Sequence, residues 1–145
     1  MPRVDYARLE IHCLGSWIWQ VHENQSYLGR MIIRLRRPEI RSLSHCTLDE
    51  WLSLHQNIQV YESIVQELFS PDRLNYSQMG NTYPQLHVQA VPRYASDRTW
   101  GRWIFRDENW GLNWAPTPPS PLTLQETYDF ASWFRAEIRT RVTKL

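Results

Sequence analysis

Lysine is almost missing from this sequence: of sixteen basic residues only Lys144 is lysine, and the rest are arginine. Arginine offers a planar fork that suits bidentate contacts to phosphate or carboxylate better than a lysine point charge does. A compositional preference on a solvated surface would give the same count. The formal net charge is only +1, which excludes a whole-molecule field that gathers nucleic acid or membrane. Cysteine is scarce too. Cys13 and Cys46 are too few for a disulfide framework and sit in no metal-ligand spacing, so a reducing cytoplasm is expected and no metal. No run of eighteen apolar residues is present, and no membrane span is expected. Met1 to Glu10 is charged without an apolar run, which does not read as a signal peptide. There is no Gly-rich phosphate loop, zinc spacing, Ser-His-Asp context or internal repeat, and no cofactor is expected.

What is present is aromatic. Eight Trp and seven Tyr in 145 residues are more than a core of this size needs, so some should line a cleft or an interface. The length suits a single domain over 1–145. We expect its core over about 9–103, an aromatic and proline-rich extension over 100–121, and a C-terminal helix over 123–143.

Along the chain, Leu9 to Leu14 is a short mixed segment ending at Gly15. Trp17 to Val21 is aromatic and β-branched and predicts a strand. Tyr27 to Leu35 predicts its antiparallel return, closed by Pro38. Arg30, Arg34, Arg36, Arg37 and Arg41 surround this return strand, either as its wet face or as contacts for a phosphate chain. Thr47-Leu48-Asp49-Glu50 is a capping box. It opens a helix over roughly Leu48 to Phe69, with Trp51, Leu54, Ile58, Tyr61, Val65 and Leu68 at three- and four-residue steps along one apolar stripe. His55 lies beside the stripe as a partly covered helix residue. Leu74 to Met79 predicts a short strand. Trp100 to Trp114 is aromatic and basic with little regular period, Ala115 to Pro121 is a stiff connector, and Thr123 to Glu126 is a second capping box. The helix it opens carries Leu124, Tyr128, Ala131, Phe134 (or Trp133) and Ile138 on one side. Short turns between neighbouring strands favour antiparallel pairing, hence an α+β sheet with helices packed on one face.

The most informative stretch is Gly80 to Tyr94. From Gln85 to Val91 it alternates, with Leu86, Val88 and Ala90 on one parity and Gln85, His87 and Gln89 on the other. An extended strand sends these to opposite faces. His87 therefore stands on a wet face between two amides, each about 7 Å along the strand at two rises of about 3.3 Å. Pro92 stops the strand or confines it to an edge, and Arg93 follows with a permanent positive charge. The Gly80-Asn81 pair ahead of it favours a turn.

These residues resemble the histidine triad (HIT) superfamily, whose signature is His-φ-His-φ-His-φ-φ on a strand after a Gly-polar turn, with φ apolar. Gln85-Leu86-His87-Val88-Gln89-Ala90-Val91-Pro92-Arg93 matches in spacing and in its φ positions. Tyr27-Leu28-Gly29-Arg30, followed by an apolar strand and a capped helix, resembles the bacterial HIT-like hydrolases. The likeness covers about Trp17 to Trp103. Of the three histidines only the middle one is present. Gln85 and Gln89 replace the others, and Pro38 stands where a further histidine is common. A third-position Gln resembles the transferase and phosphorylase branch.

The resemblance implies an antiparallel sheet of about five strands carrying one long helix and a C-terminal helix. It implies His87 as nucleophile on a nucleotide α-phosphate, with Gln89 and Gln85 flanking it in the catalytic set. Gln89 and Asn81 would donate to phosphate oxygens, and Gly80 would shape the turn. Arg93 would be either a phosphate contact or a structural ion-pair partner. The other ring nitrogen of His87 should donate to a backbone carbonyl. Trp17, Trp19 or Tyr27 would either stack on a base or simply fill the core. Glutamine cannot deliver a proton, which favours a phosphoanhydride over an amine leaving group. Three functions compete: a nucleotidyl hydrolase or transferase, a nucleotide-binding module with a retired site, and single-stranded nucleic-acid binding through the Trp100 to Trp114 tail. The small charge makes the last unlike a nucleic-acid binder. A homodimer is expected from the resemblance.

Overall fold

The computed structural model describes residues 2–144. β1 (Glu10–Leu14), β2 (Trp17–Val21), β3 (Met31–Leu35), β4 (Arg73–Ser77) and β5 (His87–Arg93) make a five-stranded sheet in the order β1-β2-β3-β5-β4. Every pairing in it is antiparallel, as expected of the α+β reading. The register follows from alternation. Trp17, Trp19 and Val21 on β2 and Met31, Ile33 and Leu35 on β3 are buried on one face, joined by Leu86, Val88 and Ala90. The other parity places Ile18 and Gln20 opposite Arg34 and Ile32, which in turn lie opposite His87 and Gln89.

α1 (Leu48–Phe69) and α2 (Leu124–Val142) each start at the expected capping box, Thr47 with Glu50 and Thr123 with Glu126. The buried side of α1 shares Leu54, Tyr61 and Val65 with the apolar stripe, with Ile58 and Leu68 packed at its border, but is rotated from it. It runs through Glu50, Leu54, Asn57, Tyr61, Ile64, Val65 and Phe69, while Trp51 stays exposed. Partners across the interface turn the helix this way. Trp19 Nε1 donates to Asn57 Oδ1 at 2.6 Å and Trp17 Nε1 donates to the Glu50 carbonyl at 2.9 Å. Asn57 in turn donates to the Leu14 carbonyl at 3.0 Å. A buried polar group with its hydrogen bonds made is tolerated in a core, and a hydrophobicity stripe has no way to register it. Trp17, Trp19 and Tyr27 are fully enclosed on this side. They are core aromatics, not a base-stacking platform.

Phe69 at the end of α1 meets Phe130, Trp133 and Phe134 of α2, with ring centroids at 6.2, 5.9 and 5.7 Å. The Trp-rich stretch is more regular than its sequence suggests. β6 (Arg98–Trp100) and β7 (Trp103–Phe105) form a hairpin. Trp100 stacks on Trp103 at 5.2 Å and meets Phe130 edge-on at 5.1 Å. Arg98 donates to the carbonyls of Phe69 and Ser70, and Arg106 pairs with Asp97. Trp100, Trp103 and Arg98 thus close the helical layer.

Two strand boundaries move. β4 is Arg73–Ser77 rather than reaching Met79, and β5 starts at His87, two residues later than the alternation begins. β3 accompanies β5 only as far as Ala90. Pro92 therefore lies where β4 alone flanks the strand, and its missing N–H breaks no ladder on the β3 side. No helix among the described residues is long and apolar enough to cross a membrane.

Candidate active site

The sheet face opposite α1 carries a cavity of about 660 Å³. Its floor is the polar parity of the strands, with Gln20 and His22 from β2 and its end, Ile32 and Arg34 from β3, and His87 and Gln89 from β5. Met79 to Tyr83 form one wall, with Gly80 at φ +67° and Asn81 beside it. Tyr6, Glu10 and Glu23 complete the rim. His87, Gln89, Gly80 and Asn81 are thus brought together.

His87 is only 6% exposed. Its Nδ1 lies 2.8 Å from the Gln85 carbonyl. A carbonyl oxygen only accepts, so Nδ1 carries the proton and Nε2 holds the lone pair. The ring of Tyr83 flanks it at 5.9 Å. Gln89 is oriented as firmly. Arg30 Nη2 donates to Gln89 Oε1 at 2.6 Å. A guanidinium has no acceptor, so the amide oxygen must face it, leaving the amide NH2 for the cavity.

Two expected site residues are placed differently. Gln85 lies ahead of β5 and does not line the cavity. Its side-chain amide donates to the carbonyls of Leu35 and Arg37 at 3.1 and 2.8 Å. It holds the end of β3, and what it contributes to the site is its backbone carbonyl. Arg93 is also outside the cavity. It is 4% exposed and pairs with Asp107 through Nε and Nη2 at 2.7 and 3.1 Å. Its other donors reach Asn75 Oδ1 and the carbonyls of Leu112 and Asn109. All five N–H groups of the guanidinium are occupied, so of its two expected roles the structural ion pair is the one the geometry has.

Two residues outside the motif belong to the site. His22 follows β2 and continues the parity of Ile18 and Gln20. The Asn24 N–H donates to its Nδ1 at 2.9 Å, so in the neutral ring Nε2 carries the proton and can donate into the cavity. Burial, and then the nearby Arg30 charge, push its pKa from 6.5 to about 3. The ring is neutral at physiological pH. Arg30 is the second. It pairs across from His22, whose N–H donates to its carbonyl at 3.1 Å. Arg30 stands behind Gln89 rather than in the cavity lining, and of the basic cluster only Arg34 lines the cavity, paired with Glu10. Arg37 is bound to Glu50. Among the described residues no group of three or more His, Cys, Asp or Glu side chains is arranged to hold a metal ion.

Solved structures share this arrangement of elements. A histidine triad protein from Bradyrhizobium japonicum is 24% identical with a TM-score of 0.66, covering 89% of this chain and 89% of that one. A histidine triad protein from Marinobacter aquaeolei VT8 is 20% identical with a TM-score of 0.68, covering 90% and 88%. The fold is that of the histidine triad proteins. A hypothetical histidine triad nucleotide-binding protein from Sulfolobus tokodaii strain7 reaches a TM-score of 0.68 at 12% identity, covering 91% and 84%. No family model matches the sequence, and no curated protein matches it. On this histidine-triad fold the Gln-x-His-x-Gln sequence sits on β5, and its neighbours on the cavity floor come from β2 and β3. The signal that leads to His22 and Arg30 is in the sequence, as the parity of β2 and β3 extended by one residue at their joined ends.

Proposed function

We propose that this chain binds nucleotides in the 660 Å³ cavity and cleaves a phosphoanhydride through a nucleotidyl intermediate on His87. The observation that carries the reading is the His87 Nδ1 contact to the Gln85 carbonyl at 2.8 Å, which leaves the Nε2 lone pair free at the cavity floor. Nε2 attacks the α-phosphorus, an N–P bond forms, and the P–O bond to the leaving phosphate breaks with its electron pair. Water or another acceptor then attacks the same phosphorus, any proton it carries is released to solvent, and the N–P bond returns its electrons to Nε2. Splitting one displacement into two is the usual logic of nucleophilic catalysis. The Gln89 NH2 and the Asn81 amide donate to non-bridging oxygens, where charge accumulates.

Gln89 has no proton to deliver. The leaving group must therefore be a weak base such as a phosphate or pyrophosphate, which points to dinucleoside polyphosphates or nucleoside diphosphate derivatives. The test is intact mass after incubation with diadenosine tetraphosphate. A nucleotidyl adduct that is absent in His87→Ala is expected. Tight nucleotide binding with neither adduct nor turnover would overturn catalysis and leave a binding module. The resemblance to bacterial HIT-like hydrolases also supports a homodimer, checked by light scattering, where a monomer would remove it. Unpaired Cys13 and Cys46 suit a reducing compartment such as the cytoplasm.

A further inference from the structure

Arg30 is 4% exposed and has no ion-pair partner among the described residues. Its Nε is buried with no hydrogen-bond partner, and its guanidinium lies 4.9 Å from the Trp114 ring centre. Among the described residues its one side-chain hydrogen bond is to Gln89 Oε1 at 2.6 Å. Burial lowers its pKa to about 10, with Tyr27 and Glu23 opposing that shift, so it remains charged at neutral pH. An uncompensated buried cation is strongly disfavoured unless something supplies the opposite charge. Here the hydrogen-bond partner is a neutral amide, Glu23 acts only from beyond ion-pair distance, and beyond the amide lies the cavity.

We propose that Arg30 is the built-in counter-charge for an anionic phosphate group held on the cavity floor, acting through Gln89, with His22 Nε2 as a second fixed donor. Two observations converge on it. The Arg30 bond polarises the Gln89 amide, which strengthens its NH2 as a donor, and fixes that NH2 toward the cavity. His22 stands directly across the β2–β3 ladder from Arg30 and lines the same cavity, held neutral with its proton on Nε2. The site therefore joins one positive charge that has no ion-pair partner among the described residues to two donors on the cavity floor. It selects for the phosphate rather than for the base or sugar. On the rim Arg34 is paired with Glu10 and Glu23 is negative, which leaves Arg30 as the one cation beside the floor without an ion-pair partner among the described residues. The inference rests on the nucleotide reading for the identity of the ligand, but not for its charge.

The test measures binding of AMP, adenosine and inorganic pyrophosphate to the full chain and to Arg30→Met and Gln89→Glu. Methionine fits the slot under Trp114 without charge. Glutamate keeps Arg30 in place but neutralises it. Both variants should lose about ten- to a hundredfold in AMP and pyrophosphate affinity, the worth of a hydrogen bond to a charged group. Adenosine affinity should stay unchanged, so the ratio of AMP to adenosine affinity collapses, which a loss of structure alone would not produce. If Arg30→Met fails to fold, Gln89→Glu decides, since it adds an ion pair and should melt no lower than the parent. AMP and pyrophosphate binding that both variants retain overturns the inference and leaves the nucleotide reading intact. Arg30-dependent pyrophosphate binding without nucleotide binding supports the inference and overturns the nucleotide reading. No binding of any of the three overturns both.

Discussion

Two arginines lie beside β5, both 4% exposed, and they are treated in opposite ways. At the C-terminal end Arg93 has a carboxylate, a side-chain amide and two carbonyls, so every donor is satisfied. It knits the 107–112 segment to the sheet, and Asp107 also accepts from the Tyr94 N–H at 3.2 Å. On the β3 side of the same strand Arg30 has one amide oxygen and a ring. A charge fully answered by protein groups is part of the scaffold. One that is answered only in part, next to a cavity, is available to a ligand. Burial alone does not separate the two cases; the count of satisfied donors does.

Substitutions can break this contrast. The largest effect is expected at the reactive end. His87→Ala should reduce turnover of diadenosine tetraphosphate by about 10⁴-fold or more, as loss of a nucleophile does elsewhere, with a circular dichroism spectrum like that of the parent. Turnover within tenfold of the parent would remove the nucleophile assignment. At the structural end Asp107→Ala leaves Arg93 buried without its counter-ion and should lower unfolding free energy by about 3–5 kcal/mol in urea titrations. The folded protein should still bind AMP as before. The matched change, Arg30→Met, should leave stability unchanged or raise it by about 1–2 kcal/mol, because it removes a charge the fold does not balance. If the two substitutions destabilise alike, the distinction between the two arginines is wrong.

The smallest effect concerns acid. The folded-state pKa of His22 is depressed from 6.5 to about 3, so between those values the unfolded chain binds the proton that the folded chain refuses. Stability on this account is complete above pH 6.5 and falls as pH drops toward 3. His22→Gln should lose less stability than the parent between pH 7 and pH 4.5, read as the shift in urea midpoint. An equal shift in both proteins would mean that His22 is not kept neutral by its site.

The HIT-like sheet, the two capped helices and the placement of His87 and Gln89 on one face follow from residue types and spacing. Capping boxes and alternation are local: their partners lie within a few residues, so the chain states them directly. The α1 stripe finds Leu54, Tyr61 and Val65 on the buried face, with Ile58 and Leu68 packed against the core, but misses the polar part of that face for a nonlocal reason. Asn57 is buried because Trp19, 38 residues away, donates to it, and no local pattern marks a satisfied asparagine. The Trp100 to Trp114 stretch was opaque for the same reason, since its hairpin is anchored by rings on α2. The place of Gln85 ahead of β5 was not legible, because strand parity says which face a side chain takes, not where the strand starts.

By itself the sequence determined the α+β class, the helix starts and the motif that carries a lone histidine between two glutamines. Only the tertiary structure decided what each charged or polar group near that histidine is for. Whether Arg93 is scaffold and Arg30 is unanswered depends on Asp107, Asn75 and Gln89. Hydrogen-bond saturation is a property of packed neighbours, and those neighbours come together only when the sheet has closed.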